Sequence, residues 1–241
     1  RADKKYEKGD FSGSIADYTK AISINPQEPS AFYNRALAKQ DSEDYYGAID
    51  DYTKTIELDP KNANAFVNRG LSKSKLENEK GAIKDYTKAI QLDPKNVLAY
   101  YNRGLSKSNL KNEKGAIKDY TKAIELDPND HESFNNRAIS KDNLEDYQGA
   151  IKDYTKAIDL NPEDDLYYYN RGVSKGLTED YYGEISDYNK AIQINPNEPD
   201  YFNNRGYAKE LIKDLDGAIA DYTKAINLNS EDPLYYYNRG L

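Results

Sequence analysis

The chain has 241 residues, with 34 basic and 42 acidic side chains, one histidine, no cysteine and a net charge of −8. The acidic balance argues against a nucleic-acid partner, because tracking a phosphate backbone needs clustered Lys and Arg. The missing cysteine excludes disulfides, thiol nucleophiles and thiolate metal sites. No apolar run approaches the roughly 20 residues that cross a bilayer, so membrane insertion is not expected.

Proline recurs at positions 26, 60, 94, 128, 162 and 196, and every arginine falls at 1, 35, 69, 103, 137, 171, 205 or 239, a step of 34 residues in both series. A fixed period of this size predicts a solenoid, in which each unit buries its apolar face only against its neighbours. In chain order there is a partial unit 1–28, full units 29–62, 63–96, 97–130, 131–164, 165–198 and 199–232, and a partial unit 233–241, all read as one array, 1–241. The sequence starts at Arg1 without an initiator methionine or a signal-peptide pattern, which sets an expectation of a cytoplasmic protein whose true N-terminus lies upstream. With 37 % hydrophobic residues the composition suits a thin core of two helical layers.

Residues 29–62 serve for all the units. Pro29 fits the first turn of a helix, where its missing N–H costs nothing. The residue before that turn is Asn62, Asn96, Asp130, Asp164 or Asp232 in five of the units, each a candidate N-cap. Phe32, Ala36 and Leu37 follow helical spacing; Asp44 opens a turn, and Gly47 starts a second run. In that run Ala48, Ile49, Tyr52, Thr55 and Ile56 form an amphipathic stripe, which Pro60 ends. Each unit is thus two antiparallel helices, and no strand is expected. The Ile15, Ile49, Ile83, Ile117, Ile151, Ile185 and Ile219 row and the Tyr18, Tyr52, Tyr86 and Tyr120 row are assigned to the core.

The spacing of Phe32, Arg35, Ala36, Lys39, Ala48, Tyr52 and Pro60 resembles the tetratricopeptide repeat, whose signature runs aromatic-x2-Leu-Gly-x2-Tyr, then Ala-x3-aromatic, then Pro. The resemblance covers the whole chain. It implies an all-α, right-handed superhelical solenoid whose first helices line a concave groove that docks peptides or proteins. Two departures are systematic. Arginine replaces the signature Leu, and Lys39, Lys73, Lys107, Lys141, Lys175 and Lys209 replace its Tyr. An acidic row, Asp17, Asp51, Asp85, Asp119, Asp153, Asp187 and Asp221, matches this basic stripe from the second helix. The pattern predicts a ladder of Arg–Asp pairs inside each unit, bidentate in geometry. The rival is a basic stripe that binds an acidic ligand.

Asn34, Asn68, Asn102, Asn136, Asn170, Asn204 and Asn238 hold one mid-helix position, where asparagine is a mediocre helix former. In relatives that bind extended chains, the resemblance implies, an asparagine here faces the groove and holds the ligand backbone. An amide both donates and accepts, so it can pair with any peptide unit. The alternative, bonding between neighbouring helices, stays open. Beside this row stand Tyr33, Tyr101 and Tyr169, and one turn on Leu37, Leu71 and Leu105, which complete the expected peptide-binding surface. Asp41, Glu132, Asp142, Asp200 and Glu210 give that surface an acidic lean against Lys75, favouring neutral to basic peptides. The carboxylate clamp of the family is not reproduced, because Leu and Ile stand where its second Asn belongs. Glu184 is anomalous, since other units carry Ala or Ser there; either its unit opens or the carboxylate reaches outward.

No enzyme is expected, and no cofactor or catalytic or metal site. Every Asp or Tyr of note recurs through the units, as scaffold residues do, and His131 is expected to be solvated at the start of a first helix. The function read here is a protein-interaction scaffold that holds an extended peptide. Its alternative is head-to-tail self-association through open repeat ends, which build filaments where the contact does not close.

Overall fold

The computed structural model describes residues 2–240. The described residues form fifteen helices and no strand. The chain divides into two compact units, Arg1–Leu126 and Asp127–Leu241. The first holds α1 (Ala2–Tyr6), α2 (Phe11–Ile24), α3 (Pro29–Asp41), α4 (Tyr45–Leu58), α5 (Ala63–Lys75), α6 (Glu79–Leu92), α7 (Val97–Asn109) and α8 (Glu113–Leu126). The second holds α9 (His131–Asp142), α10 (Tyr147–Leu160), α11 (Asp165–Gly176), α12 (Tyr181–Ile194), α13 (Pro199–Leu211), α14 (Leu215–Leu228) and α15 (Pro233–Gly240). Within each unit every helix packs on the next one in sequence, both inside a helix pair and between successive pairs. The 34-residue period is therefore a helix pair, as its punctuation predicts.

The punctuation acts through hydrogen bonds. Asn62, Asn96 and Asp130 cap their helices by accepting from the N–H three residues on, at 2.9–3.1 Å. Asp164 and Asp232 accept from the N–H two residues on. Second helices start the same way: Asp44, Asp146, Asp180 and Asp214 accept from Gly47, Gly149, Gly183 and Gly217. Such a cap satisfies one of the donors a helix start leaves without a partner. Between the two helices of a pair one residue turns left-handed: Glu43, Glu77, Lys111, Glu145, Glu179 and Lys213, with φ between 59° and 69°. Asp44 N–H then reaches back to Lys39 C=O at 2.8 Å, closing the first helix with a Schellman-type bond.

The core differs in one respect from the expected pattern. The tyrosine row is buried, Tyr52, Tyr86, Tyr120, Tyr154, Tyr188 and Tyr222 being at most 2 % exposed. The isoleucine row is only half-buried, and Ile219 is 50 % exposed. The position before it, Ala48, Ala82, Ala116, Ala150 and Ala218, lies at the closest approach of the helices and is sealed instead. Alanine lets the helices come near; isoleucine, 100° further round the helix, covers the edge of the seam. The large rings need matching space. At Gly104 a Cβ would stand 2.8 Å from a ring carbon of Tyr120, so this face of α7 carries no side chain.

Candidate functional site

The arginine–aspartate ladder is present in six pairs: Arg35–Asp51, Arg69–Asp85, Arg103–Asp119, Arg137–Asp153, Arg171–Asp187 and Arg205–Asp221. Each guanidinium donates from Nε to Oδ2 at 2.7–2.9 Å and from Nη2 to Oδ1 at 2.5–2.7 Å. The lysine four residues on joins the same carboxylate, at 2.6–2.8 Å from Oδ2 in all six. Each aspartate is 3–5 % exposed. Nη1 of Arg35, Arg69, Arg103 and Arg171 donates to Thr19, Thr53, Thr87 and Thr155 of the preceding second helix. The guanidinium also lies over an aromatic ring of its own helix, 5.6 Å from the Tyr100 centroid in the case of Arg103. One arginine thus ties three helices. The basic stripe, read alternatively as a seat for an acidic ligand, already carries its counter-charges.

The asparagine row is half-buried on the first helices. In the first unit Asn68 donates to the Tyr33 hydroxyl of the preceding first helix at 2.9 Å, and Asn102 donates to Leu98 C=O one turn back. Asn34 is half-buried on α3. In the second unit Asn170 donates to Asn135 Oδ1, Asn204 to the Tyr169 hydroxyl and Asn238 to Asn203 Oδ1. Asn136 is half-buried on α9. Asn68, Asn170, Asn204 and Asn238 therefore link neighbouring first helices, whereas Asn102 is tied to its own helix. A carboxamide has two N–H groups and an oxygen, so one such bond orients it without exhausting it.

Tyr33, Tyr101 and Tyr169 are half-buried and lean on the core tyrosines Tyr52, Tyr120 and Tyr188, with centroids 5.7–6.0 Å apart. Leu37, Leu71 and Leu105 are half-buried one turn further along α3, α5 and α7. In the first unit the structure thus brings Asn34, Asn68, Asn102, Tyr33, Tyr101, Leu37, Leu71 and Leu105 onto one run of first helices. The second unit repeats it with Asn136, Asn170, Asn204 and Tyr169. Of the acidic residues assigned to this surface, Asp41, Glu132 and Asp200 are exposed. Asp142 and Glu210 turn to the core instead, accepting from the hydroxyls of Tyr154 and Tyr222 at 2.9 and 3.1 Å. Burial raises the pKa of Asp142, against the bonds it accepts from Ser174 and Tyr154.

Those bonds explain Glu184. A buried tyrosine hydroxyl needs an acceptor, and Gln40, Asp142 and Glu210 supply it from the last turn of the first helix. In the same register Ser74 and Ser108 donate to Glu79 and Glu113, and Gly176 has no side chain to offer. Glu184 takes the role from the second helix, its Oε1 accepting from Tyr188 at 3.0 Å. A Cβ at Gly176 would stand 2.5 Å from Oε2, so the glycine makes the room. The unit neither opens nor sends the carboxylate to solvent: Glu184 is 7 % exposed. Burial pushes its pKa up to about 7; the Tyr188 bond opposes that shift, and the nearby Asp180 charge adds to it. Glu184 lines a cavity of about 360 Å³ with Val173, Gly176, Leu177, Tyr181, Tyr188, Asn204, Tyr207 and Leu211.

Tetratricopeptide repeat profiles match residues 97–130 and 131–164, and 29–62 and 166–198. A third, described as TPR repeat, matches 2–42, 75–110 and 212–241. The chain belongs to the tetratricopeptide repeat family. No curated protein matches the sequence. Among solved structures, this tetratricopeptide chain is similar to the C-terminal part of a TPR repeat-containing protein from Cytophaga hutchinsonii (TM-score 0.82, 18 % identity, 98 % of this chain and 97 % of that one). It is similar to YrrB, described as a TPR protein with an unusual peptide-binding site (TM-score 0.65, 26 % identity, 74 % and 92 %). It is also similar to MamA (TM-score 0.65, 25 % identity, 67 % and 95 %).

Two tetratricopeptide features escaped the sequence reading. His131 is half-buried, not solvated, and its Nδ1 lies 2.7 Å from the Tyr167 hydroxyl. The Gly176–Glu184 exchange was half visible. The anomalous glutamate stood out, but only the missing acceptor at Gly176 in the same unit explains it.

Proposed function

We propose that this protein is a non-enzymatic interaction scaffold that holds an extended, neutral to basic peptide along its first helices. The observation that carries this reading is the asparagine row. It is half-buried, and Asn68, Asn170 and Asn204 are oriented by bonds to the preceding first helix, with tyrosine and leucine on either side. A peptide's own C=O and N–H groups are the natural partners of a carboxamide row, whatever the peptide's side chains. The exposed Asp41, Glu132 and Asp200 favour a basic sequence. YrrB, which resembles the chain at 26 % identity, is described as having a peptide-binding site. Membrane insertion and nucleic acid are not part of the reading: no helix among the described residues is long and apolar enough to cross a membrane, and the net charge is −8. A cytoplasmic location is part of the proposal and rests on the sequence expectation alone.

Peptides enriched from a random display library on the whole protein test the reading. Asn68→Ala with Asn102→Ala is expected to weaken an enriched peptide at least tenfold by fluorescence anisotropy, with helicity by circular dichroism retained. Undiminished binding by the double variant contradicts it. Head-to-tail self-association between copies of the chain is the rival reading. It requires a mass that climbs with concentration in light scattering and is indifferent to these substitutions.

A further inference from the structure

The cavity between α11 and α13 carries a buried carboxylate, that of Glu184, in its wall. At the position of Glu184 the other helix pairs have Ser14, Ala48, Ala82, Ala116, Ala150 and Ala218. We propose that this cavity is the binding site for a single lysine side chain of an extended peptide, with Glu184 accepting the ammonium group. The inference rests on the peptide-binding reading above and names the residue that one stretch of the second unit selects.

Three features of the site converge on lysine. The carboxylate has one oxygen to give: Oε1 is held by the Tyr188 hydroxyl, whereas Oε2 has no hydrogen-bond partner among the described residues. An ammonium is a compact donor that one oxygen serves, while a guanidinium fork is best matched by two. No cation of the protein itself supplies that partner. Lys175, from α11, is taken by Asp187 at 2.8 Å and by Gly183 C=O at 3.4 Å. The charge acting on Glu184 from its own helix is negative, from Asp180. From α13 the wall carries Asn204, Tyr207 and Leu211, none of them basic.

The remaining walls fit the stem. Val173, Leu177 and Leu211 offer aliphatic surface to four methylenes, and Tyr181, Tyr188 and Tyr207 line the cavity with aromatic rings. About 360 Å³ is at the small end of ligand pockets, a volume for one side chain. The cavity also contains Asn204, a member of the asparagine row, and Val173, which stands in the 34-residue register of Leu37, Leu71 and Leu105, so a chain held along those rows passes its mouth. A carboxylate that burial keeps half protonated near pH 7 gains more from an arriving cation than a solvated one does.

The test uses the whole protein and the peptides enriched from the display library. The tightest lysine-bearing peptide is compared with its norleucine and arginine analogues by fluorescence anisotropy at pH 7.5, on wild type, Glu184→Gln and Tyr207→Ala. On the wild type norleucine is expected to cost at least tenfold, and arginine less than that. On Glu184→Gln lysine and norleucine bind alike. Tyr207→Ala, at an exposed ring, weakens the lysine peptide several-fold and serves as the readout should Glu184→Gln lose helicity. Enriched peptides without lysine, a lysine preference that survives Glu184→Gln, or full lysine-peptide affinity in Tyr207→Ala overturns the inference and leaves the peptide-binding reading standing. A library that yields no binder removes both.

Discussion

Asp119→Ala is expected to destabilise its repeat by about 3–5 kcal/mol, because it strips two cations of one buried carboxylate. Arg103 and Lys107 both bond Asp119, at 2.7 and 2.6 Å, and the aspartate side chain is 5 % exposed. The intact ladder need not add net stability, since taking its charges out of water opposes the attraction between them. What it adds is coupling. Arg103 joins Asp119 of the following helix to Thr87 of the preceding one, so the repeat is held in register by a polar contact where the family signature has leucine. Chemical denaturation of Asp119→Ala, Arg103→Leu and the double variant measures it. A coupling of about 1–3 kcal/mol is expected for groups in direct contact. Zero coupling shows that the pair is not a structural rung. Repeat arrays unfold in segments, so protection of α7 and α8 amides in hydrogen exchange is the sharper local readout.

Glu184→Gln is expected to stabilise the second unit by roughly 3 kcal/mol at pH 8 and to leave it unchanged at pH 4. The sign follows from the direction of the shift. Glu184 has a folded-state pKa of about 7 against an ordinary 4.5, because burial disfavours its charged form. Below pH 4.5 the residue is protonated in both states and carries no penalty. Between pH 4.5 and 7 the unfolded chain ionises first, and stability falls. Above pH 7 both states are ionised, and the loss is constant. Glutamine still offers the Tyr188 hydroxyl an acceptor oxygen, so the substitution removes the charge and keeps the bond. Paired denaturation curves from pH 4 to 8 check this. A difference between the two proteins that does not change with pH contradicts the buried, charge-disfavouring site.

Much of this structure was legible in the sequence because its period repeats one set of physical demands. Capping aspartates and asparagines, prolines after each second helix and the 16-residue step from Arg35 to Asp51 are local rules stated many times over. The Arg–Asp rungs were readable as charge matched to charge. The lysine in each rung was not, because its partner was already assigned. The isoleucine row was placed too deep, since hydrophobicity ranks isoleucine above alanine, whereas the closest helix approach admits only the smaller side chain. For the candidate site, the rows of Asn34, Tyr33 and Leu37 could be placed on one helix face from spacing alone. The bonds between rows could not, as they depend on distances between helices 35 residues apart in sequence. Glu184 was visible as an exception, but its explanation needed a tyrosine hydroxyl, a glycine and a cavity seen together.

The most direct measurement is nuclear magnetic resonance of the asparagine side-chain amides during titration with an enriched peptide. The account predicts that the Asn34, Asn68 and Asn102 amide signals shift with saturation, while signals from exposed second-helix residues such as Lys88 and Lys118 stay in place. Shifts confined to the second-helix surface, with the asparagine amides unmoved at saturation, would contradict it.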